Sequence, residues 1–141
     1  MKRIKNFRSD EKGQGLVEFA LVLPLFIIFL LGIIEFGWMF NAQITTTSAA
    51  REGARTRAIM GITTDPSKIL SFDAAAEEVV KKAAVPTISE DRIQATFINV
   101  TENSINGVFV QCDVEAVVKP LVGFFIRGDK TLTATATFRV E

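Results

Sequence analysis

Histidine is missing from the 141-residue chain, and cysteine occurs only once, at Cys112. A single cysteine excludes an intramolecular disulfide, and without histidine the common Cys/His metal sites have no ligands. Catalytic arrangements that depend on an imidazole are excluded for the same reason. No clustered acid–base pair replaces them, so we expect neither a cofactor nor an enzymatic activity.

Net charge is also missing, because 16 basic residues balance 16 acidic ones. The charges are unevenly placed: residues 1–13 hold five basic and two acidic side chains, which leaves 11 basic and 14 acidic residues for the remainder. A nucleic-acid-binding protein normally carries a basic face on its folded part. We therefore do not expect nucleic acid among the partners.

A long apolar run does occur. Residues 19–34 contain no charge, and extension to residues 16–40 gives a segment long enough to cross a bilayer as a helix. Trp38 and Phe40 fall where an interfacial aromatic belt belongs, and the basic residues before the run predict a cytoplasmic N-terminus. The sequence thus predicts a single-pass membrane protein whose chain after Asn41 lies outside the cytoplasm.

The alternative for this run is a cleaved secretory signal peptide, which also has a basic start and an apolar core. The run is longer than a typical signal-peptide core, and no Ala-x-Ala-like site comes after it. The residues beyond the run continue the helical pattern. We therefore prefer the membrane-spanning interpretation.

Glu18 lies near the start of the apolar run, where a charge is costly. A carboxylate in a bilayer costs on the order of 2.5–3.5 kcal/mol at the centre and less near the edge, so it needs a cation. The basic residues stop at Lys12, and none lies on the same helix face as Glu18. Cleavage just upstream would supply the cation, because it creates an α-amine that is largely protonated near neutral pH.

Three motifs carry a resemblance to a known family. They are GQGLVEFALVLP at residues 13–24, GIIEFG at residues 32–37 and AAREGAR at residues 49–55. The first resembles the class III signal of type IV prepilins, and together they resemble the TadE-like pilins of the tight-adherence (Tad/Flp) system. The resemblance is strong over residues 13–58 and returns in residues 135–141, whereas the middle of the chain matches only in outline.

The resemblance implies processing by a membrane-embedded prepilin peptidase between Gly13 and Gln14. Glu18 then becomes the fifth residue, as the family pattern requires; cleavage after Gly15 would make it the third. Glycine suits a protease that binds extended backbone closely, although Gly13 and Gly15 could also merely loosen the helix start. We expect a leader at residues 1–13, a transmembrane assembly helix at 14–40 and an extracytoplasmic domain at 41–141.

Glu18 is expected to pair with the new α-amine, either its own or that of a neighbouring subunit, and so to set the register of assembly. Pro24 predicts a helix kink. Glu35 is expected to be solvated near the outer interface, with pairing to a partner pilin as the alternative. Arg51, Arg55 and the nearby Arg57 are expected on a solvated face, with Arg51 and Arg55 as alternative subunit contacts.

The chain after the apolar run shows two different spacings of apolar residues, first a helical one and then an alternating one. A helical pattern continues to residue 60 with a strip of small side chains, and an amphipathic helix is predicted at residues 66–84, with Asp65 as its N-cap. Alternation then predicts antiparallel strands at residues 92–101, 108–118 and 131–140, with Cys112 facing inward and a turn at Asn106-Gly107. The expected fold is α+β and pilin-like. Residues 120–129 are unusually apolar for a connection, which suggests packing over an edge or a subunit contact.

Two functions fit these observations. The first is a TadE-like minor pilin in the inner membrane that takes part in assembling an adhesive pilus. The resemblance implies as partners the peptidase, a TadF-like pilin and other pilins, and the assembly platform. The second is a membrane-anchored binding or sensor domain that is never cleaved.

Overall fold

The computed structural model describes residues 11–102 and 107–140. It contains two helices, α1 (Glu11–Ile59) and α2 (Pro66–Ala84), and three strands, β1 (Ile93–Glu102), β2 (Gly107–Val118) and β3 (Lys130–Arg139). A short 3₁₀ turn, Glu90–Arg92, precedes β1. These elements confirm the predicted α+β layout of a long helix, a second helix and a small sheet.

Helix α1 has 49 residues and is about 73 Å long at 1.5 Å per residue. It begins earlier than predicted and continues through Gly13, Gln14 and Pro24. Its second half carries the predicted strip of small side chains, which is buried: Ala42, Thr46, Ala49, Ala50, Gly53, Ala54 and Ala58. A Cβ atom at Gly53 would collide with Val80 of α2. Small residues therefore let α2 and the sheet approach α1 closely.

Helix α2 begins and ends where the sequence predicts. The Asp65 carboxylate accepts a hydrogen bond from the Ser67 backbone N–H at 3.0 Å, and Pro66 occupies the first turn. Ala76, Val80 and Ala84 are buried against α1 and the sheet, whereas Ala83 is exposed. The helix therefore buries one face, as an amphipathic helix does.

The sheet has the order β1-β2-β3, and both strand pairs are antiparallel. Alternate residues of the central strand, among them Val110, Cys112 and Val114, are buried. This confirms the predicted inward position of Cys112, and burial raises the pKa of its thiol to about 12. The predicted turn at Asn106-Gly107 cannot be compared, since Asn106 lies outside the described residues.

Candidate functional site

Residues 13–30 of α1 lie open to the surroundings of the described chain. Every side chain from residue 13 to residue 30 is exposed, although nearly all of them are apolar. By length and composition this helix could cross a membrane. An exposed and apolar helix surface of this length fits a single-pass membrane anchor.

The predicted processing region lies near the start of this apolar surface. Gln14 donates a hydrogen bond from Nε2 to Glu18 Oε1 at 3.2 Å, one helical turn away. Both side chains are exposed, and no described cation forms an ion pair with Glu18. Residues 14 and 18 therefore share one helix face, as the proposed pairing of an amine at residue 14 with Glu18 requires.

Pro24 lies within continuous helix. Proline removes one backbone donor, so the carbonyl one turn earlier loses its usual partner. The predicted kink at this position stays a prediction.

Glu35 is fully buried, and the expectation that it is solvated is wrong. Its Oε1 accepts a hydrogen bond from the Gly123 backbone N–H at 2.7 Å, and its Oε2 accepts one from the Phe125 N–H at 2.8 Å. These donors belong to residues 120–129 of the connection between β2 and β3, which we call the β2–β3 loop. Both carboxylate oxygens are therefore engaged within the chain, and the alternative contact of Glu35 with a partner pilin stays a prediction.

Three further contacts hold the β2–β3 loop and the preceding Lys119 against α1. The Phe125 ring lies over Gly32, where an added Cβ would come within 3.2 Å of the ring, and Phe36 is a neighbour at 6.4 Å between ring centroids. Trp38 donates from its indole N–H to the Lys119 carbonyl at 3.1 Å. Packing of the folded domain on α1 therefore begins at Gly32, before the domain boundary predicted at residue 41.

Sequence reasoning missed this arrangement because the partners of Glu35 lie 88 and 90 residues further along the chain. One signal was present. The loop is apolar and contains two glycines with positive φ, Gly123 at 73° and Gly128 at 74°. Glycine adopts this backbone conformation at little cost, so the loop can turn its N–H groups toward a carboxylate.

Arg51 and Arg55 are exposed, which agrees with the predicted solvated face. Arg57 is not on that face: its side chain is 2% exposed and pairs with Asp73 of α2 at 2.6 Å. It also donates to the Gly61 carbonyl at 2.9 Å and lies over the Phe72 ring. Arg57 therefore joins the end of α1 to α2, and the prediction that it is solvated is wrong.

Nothing in residues 11–102 and 107–140 forms a group of acidic, cysteine or histidine side chains that could hold a metal ion. Two polar groups stand out along α1. Glu18, which Gln14 contacts, places a carboxylate near the start of the apolar helix surface. Glu35 joins the folded domain to the other end of that surface. Fold and site together fit a single-pass membrane-anchored protein with a pilin-like layout.

Comparison with known proteins agrees with this class. A family model described as "TadE-like protein" matches residues 13–55. The match covers all three motifs that carried the resemblance and confirms the resemblance over these residues. No curated protein and no solved structure matches the chain.

Proposed function

We propose that the protein is a TadE-like minor pilin that a prepilin peptidase cleaves between Gly13 and Gln14 and that then takes part in assembling an adhesive Tad pilus. It is anchored in the inner membrane by α1, with its N-terminus in the cytoplasm and the folded domain outside. Its partners are the peptidase, a TadF-like pilin and other pilins, and the assembly platform. The observation that supports this proposal best is the position of Glu18. Its side chain is exposed on an apolar helix surface and forms no ion pair with a cation among the described residues.

Cleavage requires the peptide bond after Gly13 to become accessible. Residues 13 and 14 are helical in the uncleaved chain, so the peptidase must first unwind the start of α1. Two glycines make this step inexpensive, because each weakens a helix by roughly 0.5–1 kcal/mol relative to alanine. Gly13 and Gly15 therefore favour both close backbone approach and local unwinding.

Cleavage also changes the electrostatics of Glu18. The new α-amine belongs to Gln14, whose side chain already reaches the Glu18 carboxylate. In a low-dielectric environment, removal of one partner from such a pair costs roughly 3–5 kcal/mol. An amine and a carboxylate that meet only at certain offsets between parallel helices would also set the axial register of subunits.

The test is the substitution of Glu18 by alanine and, separately, by glutamine. We expect both variants to be cleaved normally but to be lost from the sheared pilus fraction, because neither side chain can neutralise the amine. Glu52→Ala is the matched control, since Glu52 is an exposed carboxylate on the extracytoplasmic half of α1. Normal incorporation of the Glu18 variants would contradict the proposed role of this residue.

A further inference from the structure

Three apolar side chains of the β2–β3 loop are largely exposed in the described structure, although the Phe124 ring also meets the edge of the Phe125 ring at 5.0 Å between centroids. Leu121 is 58% exposed, Val122 42% and Phe124 55%. Single exposed apolar residues are ordinary, but a cluster within a few residues marks an interaction surface. Glu35 accepts hydrogen bonds from the backbone N–H groups of Gly123 and Phe125, and these two bonds hold the cluster beside α1.

The position of the loop along α1 indicates what the cluster meets. From Leu16, where the apolar run begins, to Glu35 is 19 residues, or about 29 Å of helix. This length matches the roughly 30 Å hydrocarbon thickness of a bilayer. When α1 spans a membrane with its apolar run in the hydrocarbon, Glu35 and the loop lie at the outer boundary of that hydrocarbon.

The loop also continues the apolar surface of the helix. Phe125 packs beside Gly32 and Phe36, and these residues line a shallow apolar depression together with Phe29 and Ile33. The exposed loop residues therefore extend the lipid-facing surface of α1 sideways. Trp38, which is bonded to Lys119 just above this level, stands where interfacial tryptophans are enriched.

Charged side chains border the cluster on both sides. Lys119 precedes it, and Arg127 and Lys130 come after it, and all three are exposed. Long basic side chains at this depth can extend toward lipid headgroups, and anionic headgroups attract them. Asp129 is paired with Arg92 at 3.4 Å and so offsets little of this positive charge.

We propose that the β2–β3 loop is a second membrane contact, in which Leu121, Val122 and Phe124 enter the outer surface of the bilayer that α1 spans. The two hydrogen bonds to Glu35 hold the loop at that depth. A helix alone can rotate and tilt in a bilayer, whereas a helix with a laterally attached apolar loop is restricted in both. The inference rests on α1 spanning the membrane and not on cleavage or pilus assembly.

The experiment places an environment-sensitive fluorophore, NBD, on cysteine at position 124. The full-length Phe124→Cys chain is reconstituted at high lipid-to-protein ratio in phosphatidylcholine–phosphatidylglycerol vesicles that carry a shallow spin-label quencher. Leu70→Cys is the matched control, because Leu70 is 71% exposed but lies on α2, near the far end of α1. The native chain reports the background, since Cys112 is buried and its raised thiol pKa keeps it unreactive.

We expect blue-shifted emission at position 124 and several-fold stronger lipid quenching than at position 70. One label per chain confirms that the core around Cys112 is intact, and Val122→Cys serves as a second labelled position if Phe124→Cys does not fold. Water-like emission at the labelled loop position would overturn the proposal. So would emission that is blue-shifted only in crowded vesicles and protected from the lipid quencher, because it would identify a second protein copy as the partner.

Discussion

At the scale of single residues, Glu35 shows how an acidic side chain is accommodated beside an apolar helix surface. Both of its oxygens accept backbone N–H groups, so burial leaves no acceptor unsatisfied. The donors are supplied by a loop that is distant in sequence. The sequence around Glu35 therefore predicts where this residue lies along α1, but not that it is buried. Its burial depends on tertiary structure.

Glutamine at this position should loosen the loop. Glu35→Gln keeps one acceptor oxygen but turns an amide NH₂ group toward the second backbone donor, so one of the two hydrogen bonds is lost and the other is no longer charge-assisted. We expect amide hydrogen exchange at Gly123 and Phe125 to accelerate by about tenfold or more, since hydrogen bonds to charged groups are stronger than neutral ones. Glu52→Gln, at an exposed carboxylate on the same helix, should leave exchange unchanged. Unchanged exchange in the Glu35 variant would show that the loop is held by other contacts.

The close packing around Gly53 leads to a second prediction at the scale of single residues. Alanine normally stabilises a helix by roughly 0.5–1 kcal/mol relative to glycine, but a Cβ at Gly53 would collide with Val80 and approach Cys112 Sγ at 3.2 Å. Overpacking of this kind costs typically about 1–3 kcal/mol. We therefore expect Gly53→Ala to lower the thermal unfolding midpoint of the full chain in detergent.

Gly37→Ala is the matched control for Gly53. An added Cβ at Gly37 meets no atom within 4 Å, so only the helix-propensity gain remains. Its unfolding midpoint should be equal to or higher than that of the native chain. Equal effects of the two substitutions would contradict the close packing of α2 on α1.

At the scale of elements, the spacing of apolar residues and the helix-capping residues located the helices and strands well. The bounds of α2 agree with the prediction because Asp65, Pro66 and Pro86 mark its ends. Alternation located the three strands to within a residue, since one face of the sheet is buried against the helices. Arg57 was misjudged because a charged residue next to Arg51 and Arg55 is usually solvated, and its partner Asp73 lies on another helix.

The N-cap of α2 predicts a dependence of stability on pH. Hydrogen bonds from the Ser67 hydroxyl and backbone N–H lower the pKa of the Asp65 carboxyl. A carboxyl whose pKa is lowered by folding contributes stability above its unfolded pKa of about 4, and loses that contribution as the pH falls through the folded value. Asp65→Asn keeps a capping oxygen but does not titrate.

We therefore expect the native chain to unfold at a higher temperature than Asp65→Asn at pH 7, and the difference to shrink below about pH 4. Thermal unfolding followed by circular dichroism from pH 7 to pH 3 measures it. The pair of Glu78 and Lys82, which lowers the pKa of Glu78, is present in both chains and cancels in the comparison. A difference that stays constant with pH would contradict the role of the Asp65 charge.

At the scale of the whole molecule, α1 has two environments. Its first half is exposed and apolar, and its second half forms the core of the folded domain. Hydropathy and small-residue spacing predicted both halves. Composition did not show that the β2–β3 loop folds back onto Gly32 and Glu35, so that the folded domain contacts α1 before residue 41.

The central claim is that cleavage supplies the cation that Glu18 lacks, and it is tested most directly by the N-terminus of the protein isolated from membranes or pili. Intact mass and N-terminal sequencing should be compared for cells with and without the prepilin peptidase. The account predicts a chain that begins at Gln14 when the peptidase is present and at Met1 when it is absent. A chain that begins at Met1 in both strains would contradict the account and favour an uncleaved membrane-anchored binding or sensor domain.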